Sequence, residues 1–117
     1  IDTMIHEMGA AQLEVNFIHG DPLRLADEVF LFKRVVRSVA RSHGVYATFM
    51  ANPMAGQPGS AMHIHQSVVD ASTGKNLFAS SNGKDSALFR SHVAGLVRLM
   101  PQIAPLYAPN VNSFRRM

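Results

Sequence analysis

Two carboxylates, Glu7 and Glu14, flank a bend of small residues, Gly9-Ala10-Ala11, and a His-x-His pair, His63 and His65, stands further along the chain. With His63 added to the glutamates, the set is rich in oxygen and carries one nitrogen. Hard divalent ions prefer carboxylate oxygen, so the set suits magnesium or manganese better than zinc. The two-residue period of an extended segment puts His63, His65 and Ser67 in a row on one face. Three polar groups in a row make a poor core face and a good ligand face. The chain has no cysteine, which excludes disulfides, zinc-thiolate centres and a thiol nucleophile.

Each feature also has a plainer reading. A glutamate on the polar side of a strand is ordinarily just solvated. A His-x-His pair also occurs on exposed edge strands. Pro58-Gly59-Ser60-Ala61 reads either as a flexible turn or as a place where glycine lets backbone approach a ligand closely. His6, His19, His43 and His92 read as structural or surface positions, with His6 close enough to Glu7 to reach the same site. Taken singly, none of these decides a function.

The elements that would position these residues follow from periodicity. Gln12, Glu14 and Asn16 alternate with Leu13, Val15 and Phe17, which predicts a half-buried strand with Glu14 on its polar face. Asp21-Pro22 predicts a helix start, as an N-cap followed by proline at the first helical position. Leu25, Val29, Phe32, Val36 and Val39 form its apolar stripe, and Gly44 its stop, so the helix runs from about Pro22 to His43. Lys33, Arg34, Arg37 and Arg41 fall mostly on the other faces. Tyr46 to Met50 is a short strand candidate, and Asn52 to Ser60, with two prolines and two glycines, is a loop. Met62 to Val69 alternates again, and a turn at Ser72 to Lys75 makes a hairpin continuing to Ala79. Ser86 caps a second helix with the stripe Phe89, Val93, Leu96, Val97 and Met100; Pro101 and Pro105 blur its end. Tyr107 to Met117 reads as loop. Strands and helices do not alternate regularly, so the expected fold class is α+β, an antiparallel sheet with flanking helices, rather than a parallel doubly wound sheet.

The 117 residues suffice for one domain with a modest core, and 47% of them are hydrophobic, too many for a disordered chain. Only 16% are charged, below the usual ~25%, which implies that part of the surface is normally covered by a subunit or by further chain. The net charge of +3 invites a nucleic-acid reading, which predicts salt-sensitive binding to DNA or RNA. The cations argue against it, because no Lys/Arg-rich run exists and the aromatics sit among aliphatic residues. No apolar run approaches the ~20 residues of a membrane span, and no signal-peptide pattern is seen. The absence of disulfides is compatible with a cytoplasmic location. The opening Ile-Asp-Thr and the closing Arg-Arg-Met suggest a segment of something longer.

Taken together, the motifs resemble one family. The run from Gly59 to Ser67, GSAMHIHQS, closely resembles the ATP-binding signature of glutamine synthetases. Upstream, HEMGAAQLEVNF resembles the family's metal-binding segment, two glutamates bracketing a small-residue turn and a Gln. ADEVFLFKRVVRSVARSHGVYATFMANP resembles the helix and strand between them, and PNVNSFRRM the Asn-Ser-Tyr-Lys-Arg stretch downstream. The four segments occur in the family's order and span nearly all of the chain.

The resemblance implies roles. Glu7 and Glu14 would be metal ligands, and His63 would hold the second ion, against the ATP phosphates. His65 and Ser67 would contact the nucleotide. Gly59 would offer backbone to substrate glutamate, and Arg116 would bind that substrate's carboxylate with a bidentate guanidinium. No residue need be a covalent nucleophile. The implied reaction joins an amine to the γ-carboxyl of glutamate through a γ-glutamyl phosphate, with ATP and Mg2+ or Mn2+. Residues 1–117 would be part of the catalytic domain, lacking the family's N-terminal β-grasp domain and the C-terminal part of the catalytic domain. Because the family builds its sites between subunits of a ring, the resemblance implies a homo-oligomer, and a chain that is inactive and prone to self-association alone. Four departures from the pattern stand out: Asn52 for the usual Lys, Ala61 for Gly, Phe114 for Tyr, and Pro58 where ammonia-using members often have Asn. With GDPLRLADEVFLFKR, they resemble the bacterial γ-glutamylpolyamine synthetase branch, whose acceptor is a polyamine rather than ammonia. Asn52 also leaves room for a homologue that has lost turnover and serves as a binding or scaffold protein.

Overall fold

The computed structural model describes residues 1–80 and 82–116, which form two compact units. The first unit contains Ile1–Ala61 and the stretch from Asn112 onward. It opens with a hairpin, β1 (Met4–His6) antiparallel to β2 (Leu13–Val15), in the register Met4 with Val15, Ile5 with Glu14 and His6 with Leu13. The expected strand over 12–17 is therefore shorter, with a partner not foreseen from the sequence. Asn16 extends the pairing, donating its backbone N–H to the Thr3 carbonyl and its side-chain amide to Thr3 Oγ1.

Helix α1 (Pro22–Ser42) begins and ends as the sequence dictates. Asp21 Oδ1 accepts the Arg24 backbone N–H at 2.9 Å, which satisfies one orphan donor of the first turn. Pro22 occupies the first turn, where its missing N–H costs nothing. At the other end His43 is the C-cap, and Gly44 leaves the helix with φ 71°, a conformation that favours glycine. Leu25, Val29, Phe32 and Val36 are half-buried as expected, whereas Val39 is exposed. Phe32 makes edge contacts with Phe17 at 5.2 Å and Phe49 at 6.1 Å between ring centroids. Lys33 and Arg37 stand over the Phe49 ring at 5.8 and 5.1 Å, so these two cations cover an aromatic face. The segment around Phe49 forms no strand, contrary to expectation. It is fixed by packing on α1 instead of by a ladder.

The second unit comprises Met62–Val111. Residues 62–69 are exposed and carry no regular strand; one bridge, Val69 with Asn76, is all that the expected hairpin forms. Alternation sets which side chains share a face, but a strand also needs a neighbour to accept its backbone bonds. The turn itself is tight. Asp70 Oδ1 accepts from the backbone N–H and hydroxyl of both Ser72 and Thr73, at 2.6 to 3.0 Å. Those bonds, led by that of the Ser72 hydroxyl, stabilise the carboxylate and hold its pKa down at about 2.

Helix α2 (Ala87–Tyr107) starts where expected, with Ser86 Oγ accepting the Phe89 N–H and donating to the Leu77 carbonyl. It continues through Pro101 and Pro105, the two residues that blurred its end in the sequence. Each proline withholds one N–H from the carbonyl four residues back. Those carbonyls belong to Val97 and Pro101, both exposed residues, so solvent can supply the missing donor. The covered line of α2 is Phe89, His92, Gly95, Ile103 and Ala104; of the expected stripe Phe89 alone is half-buried, and Val93, Leu96, Val97 and Met100 are exposed. Phe78 packs on Phe89 and on the His92 ring. The C-terminal stretch, expected as loop, contains one helical turn, α3 (Val111–Phe114). Among the described residues Ala108 is the one buried hydrophobic side chain, and no helix is long and apolar enough to cross a membrane.

Candidate functional site

The β1–β2 register decides where the two glutamates stand. Ile5 lies opposite Glu14, and Glu7 is two residues beyond Ile5, so both carboxylates share one face of the hairpin at diagonal positions. Such positions are typically about 7–8 Å apart, a span that one hydrated divalent ion or a pair of ions can bridge. Both residues are half-buried, and Glu7 Oε2 accepts the Met8 N–H at 3.2 Å.

The connecting turn is closed by the Gln12 N–H, which donates to the Gly9 carbonyl, while the Glu7 N–H donates to the Gln12 carbonyl. Ala11 takes φ 55°, the left-handed region, at the position where the chain reverses. Gly9 is buried, and a Cβ there would lie 2.6 Å from Gln12 Oε1. Only glycine lets that amide oxygen come close enough to accept the Gly9 N–H, at 2.9 Å.

The other end of the Gln12 amide reaches the 52–60 loop. Nε2 donates to the Gly59 carbonyl at 3.1 Å and to Ser60 Oγ at 3.2 Å. The Ser60 N–H donates to the Ala51 carbonyl at 2.8 Å, which folds the loop back on itself. Gly59 sits in this crossing, where a Cβ would lie 2.7 Å from the Ala51 oxygen and 3.1 Å from Cγ and Cδ of Arg116. The Arg116 stem therefore lies against Gly59. Its guanidinium pairs with no carboxylate among the described residues, in which Arg24–Glu28 is the one ion pair.

Asn52 and Asn112 hold the Arg116 turn in place. The Asn52 N–H donates to Asn112 Oδ1 at 2.9 Å, and Asn112 Nδ2 returns a bond to the Asn52 carbonyl at 2.7 Å. Asn52 Nδ2 also reaches the Arg115 carbonyl at 3.5 Å. Glu7, Glu14, Gly59 and Arg116 thus belong to one unit and are linked through Gln12, Ser60 and the Asn52–Asn112 pair. Sequence reasoning did not single out that linkage. The signal was present in Gln12, the polar residue of the alternating segment nearest the bend.

His63, His65 and Ser67 belong to the second unit and are all exposed. Gln66, on the opposite face by alternation, pairs through Oε1 with His92 Nε2 of α2 at 2.9 Å, which anchors the back of the segment. Of the two readings the sequence left for His92, structural or surface, this bond favours the structural one. Among the described residues no three His, Cys, Asp or Glu side chains converge as a metal-binding group. A shallow concavity at the start of α1, lined by His19, Asp21, Arg24 and Glu28 among others, contains none of the expected site residues.

Comparison with known proteins identifies the family. A family model described as glutamine synthetase, catalytic domain, matches residues 1–117. The chain is 41% identical over 116 residues to a gamma-glutamylputrescine synthetase of Escherichia coli, covering 98% of this chain and 24% of that protein. It is 38% identical over 117 residues to a glutamine synthetase of Pyrococcus horikoshii, covering 99% of this chain and 26% of the relative. A type-1 glutamine synthetase of Dictyostelium discoideum is 36% identical over 113 residues, covering 95% of this chain and 22% of its own length. The chain thus spans about a quarter of the length of the curated relatives it matches. No solved structure matches. With the family's catalytic-domain pattern running from the first residue to the last, the chain belongs to the glutamine synthetase family.

Proposed function

We propose that this chain is a segment of the catalytic domain of a longer ATP-dependent ligase that joins an amine to the γ-carboxyl of glutamate. The observation that carries the reading is the Arg116 guanidinium, which pairs with no carboxylate among the described residues, its stem against Gly59, in the unit that holds Glu7 and Glu14. A planar guanidinium whose stem lies against half-buried loop backbone suits the α-carboxylate of an amino acid. In the proposed reaction the γ-carboxylate of glutamate attacks the γ-phosphorus of ATP, and ADP leaves. The amine nitrogen then attacks the acyl carbon, and phosphate departs. Neither step uses a protein nucleophile.

The paired glutamates have the donor chemistry of a magnesium or manganese site but not its full complement. Glu7 and Glu14 would hold the ion, with His63 assigned to a second one, and His65 and Ser67 to the nucleotide. Bound metal would neutralise charge developing on the phosphoryl oxygens. The nearly coreless surface supports an inactive isolated chain, because side chains left this exposed hold a site loosely. A cytoplasmic homo-oligomer completes the reading.

Asn52 favours a diamine as the acceptor. Its side chain is engaged with the Arg115 carbonyl, where the family pattern has a lysine, and a site with one cation fewer repels a cationic acceptor less. The test is glutamate-dependent ADP release by the full-length protein with magnesium, comparing ammonia with putrescine. Turnover with the diamine alone is expected. Turnover with ammonia would overturn the acceptor assignment, and silence with both acceptors would overturn the assignment of a ligase acting on them.

A further inference from the structure

We infer that Gln12 is a positioning residue that couples the glutamate-bearing hairpin to the substrate loop, so that divalent-metal binding and glutamate binding strengthen each other. The inference rests on the ligase reading above and extends it to a residue that has no contact with the reacting atoms. Three hydrogen bonds carry it. Gln12 Oε1 accepts from the Gly9 N–H inside the bend that sets the spacing of Glu7 and Glu14. Its Nε2 donates to the Gly59 carbonyl and to Ser60 Oγ, in the loop against which the Arg116 stem lies.

The amide is used at both ends, and the two ends serve different elements. A turn-closing residue alone would need only the backbone bonds between Gln12, Glu7 and Gly9, which are already made. The Nε2 bonds are therefore surplus to the turn, and they run to residues more than forty positions away in sequence. Gly9 makes the link steric as well as polar, since any larger residue there would displace the amide oxygen. A metal drawing Glu7 and Glu14 together tightens the bend, and the tightened bend holds the Gly59 carbonyl and the adjacent Arg116 stem in one place. By thermodynamic reciprocity, glutamate on the loop must raise metal affinity by the same factor.

The discriminating variants are Gln12→Glu and Ser60→Ala in the full-length protein. The carboxylate of Gln12→Glu keeps the acceptor for Gly9 but can no longer donate to Gly59 or Ser60. Ser60→Ala removes one acceptor and leaves the turn intact. Calorimetric titration gives Mn2+ affinity with and without L-glutamate, and steady-state ADP release gives KM for glutamate and for ATP. Couplings between sites commonly amount to about 5- to 150-fold. In the wild type, glutamate is expected to tighten Mn2+ binding about tenfold. Gln12→Glu should reduce that factor to about twofold or less and Ser60→Ala to an intermediate value, with the kinetic loss falling on KM for glutamate rather than on kcat or KM for ATP. An unchanged coupling factor in Gln12→Glu would overturn the inference. So would a parallel loss of glutamate, ATP and metal affinity with a lowered melting temperature, which marks a purely structural role. If Gln12→Glu does not fold, Ser60→Ala decides alone, since an unaltered factor there removes the link. Wild-type protein without glutamate-dependent ADP release would sink the ligase reading itself, an outcome distinct from turnover with unaltered coupling.

Discussion

Gly59→Ala tests the packing of the 52–60 loop, the proposed substrate loop, most directly. The added Cβ would stand 2.7 Å from the Ala51 carbonyl oxygen and 3.1 Å from two carbons of the Arg116 stem. The arginine contacts can relax, because a flexible stem gives by a few tenths of an ångström. The carbonyl cannot, because it is backbone and already accepts the Ser60 N–H at 2.8 Å. Gly59 does not occupy the left-handed region, so the penalty is steric and not conformational. Overpacking of this kind costs typically about 1–3 kcal/mol. Gly59 is half-buried, but residues 54–58 beside it are exposed and the loop can shift in part, so the lower portion applies, about 1–2 kcal/mol. Borne by the arrangement proposed to receive glutamate, that cost is expected to raise KM for glutamate about 5- to 30-fold, since 1.4 kcal/mol is a factor of ten. The assay is ADP release by the full-length protein over a range of glutamate, with KM for ATP as internal reference. Gly20→Ala is the control, because its Cβ would meet nothing within 4 Å and its φ is unstrained. A Gly59→Ala glutamate KM within twofold of wild type would refute the reasoning, as would equal increases in both variants.

Two further outcomes follow from the local geometry. Ala11 holds φ 55° without the freedom of glycine, so Ala11→Gly should stabilise the hairpin by about 0.5–1 kcal/mol, read as a higher denaturant midpoint at unchanged slope; an unmoved or lowered midpoint would count against a strained turn. Asp70 titrates at about 2 in the folded chain against 3.8 ordinarily, so its contribution is fully present above 3.8 and is lost as pH falls toward 2. Amide hydrogen exchange at Ser72 and Thr73 should accelerate across that window in the wild type, while Asp70→Asn should show no such step.

The sequence by itself was most informative where the cause is local. Asp21-Pro22, Gly44 and Ser86 determine the helix boundaries because capping bonds and the left-handed exit of glycine act within a few residues. The family was legible for a related reason, since four short runs carry its residue types and spacing. Whether alternation became a strand was not a local matter. Residues 12–17 gained a ladder over Leu13–Val15 only because β1 lay alongside, while 62–69 alternates as cleanly and forms one bridge. The two prolines of α2 show the same limit, because their missing bonds matter only if the freed carbonyls are cut off from water, and here they are exposed. The linkage through Gln12, the wedge at Gly59 and the Asn52–Asn112 pair depended on tertiary structure alone. Each joins segments forty to sixty residues apart, and a hydrogen bond across that distance leaves no periodicity in the sequence for a reader to find.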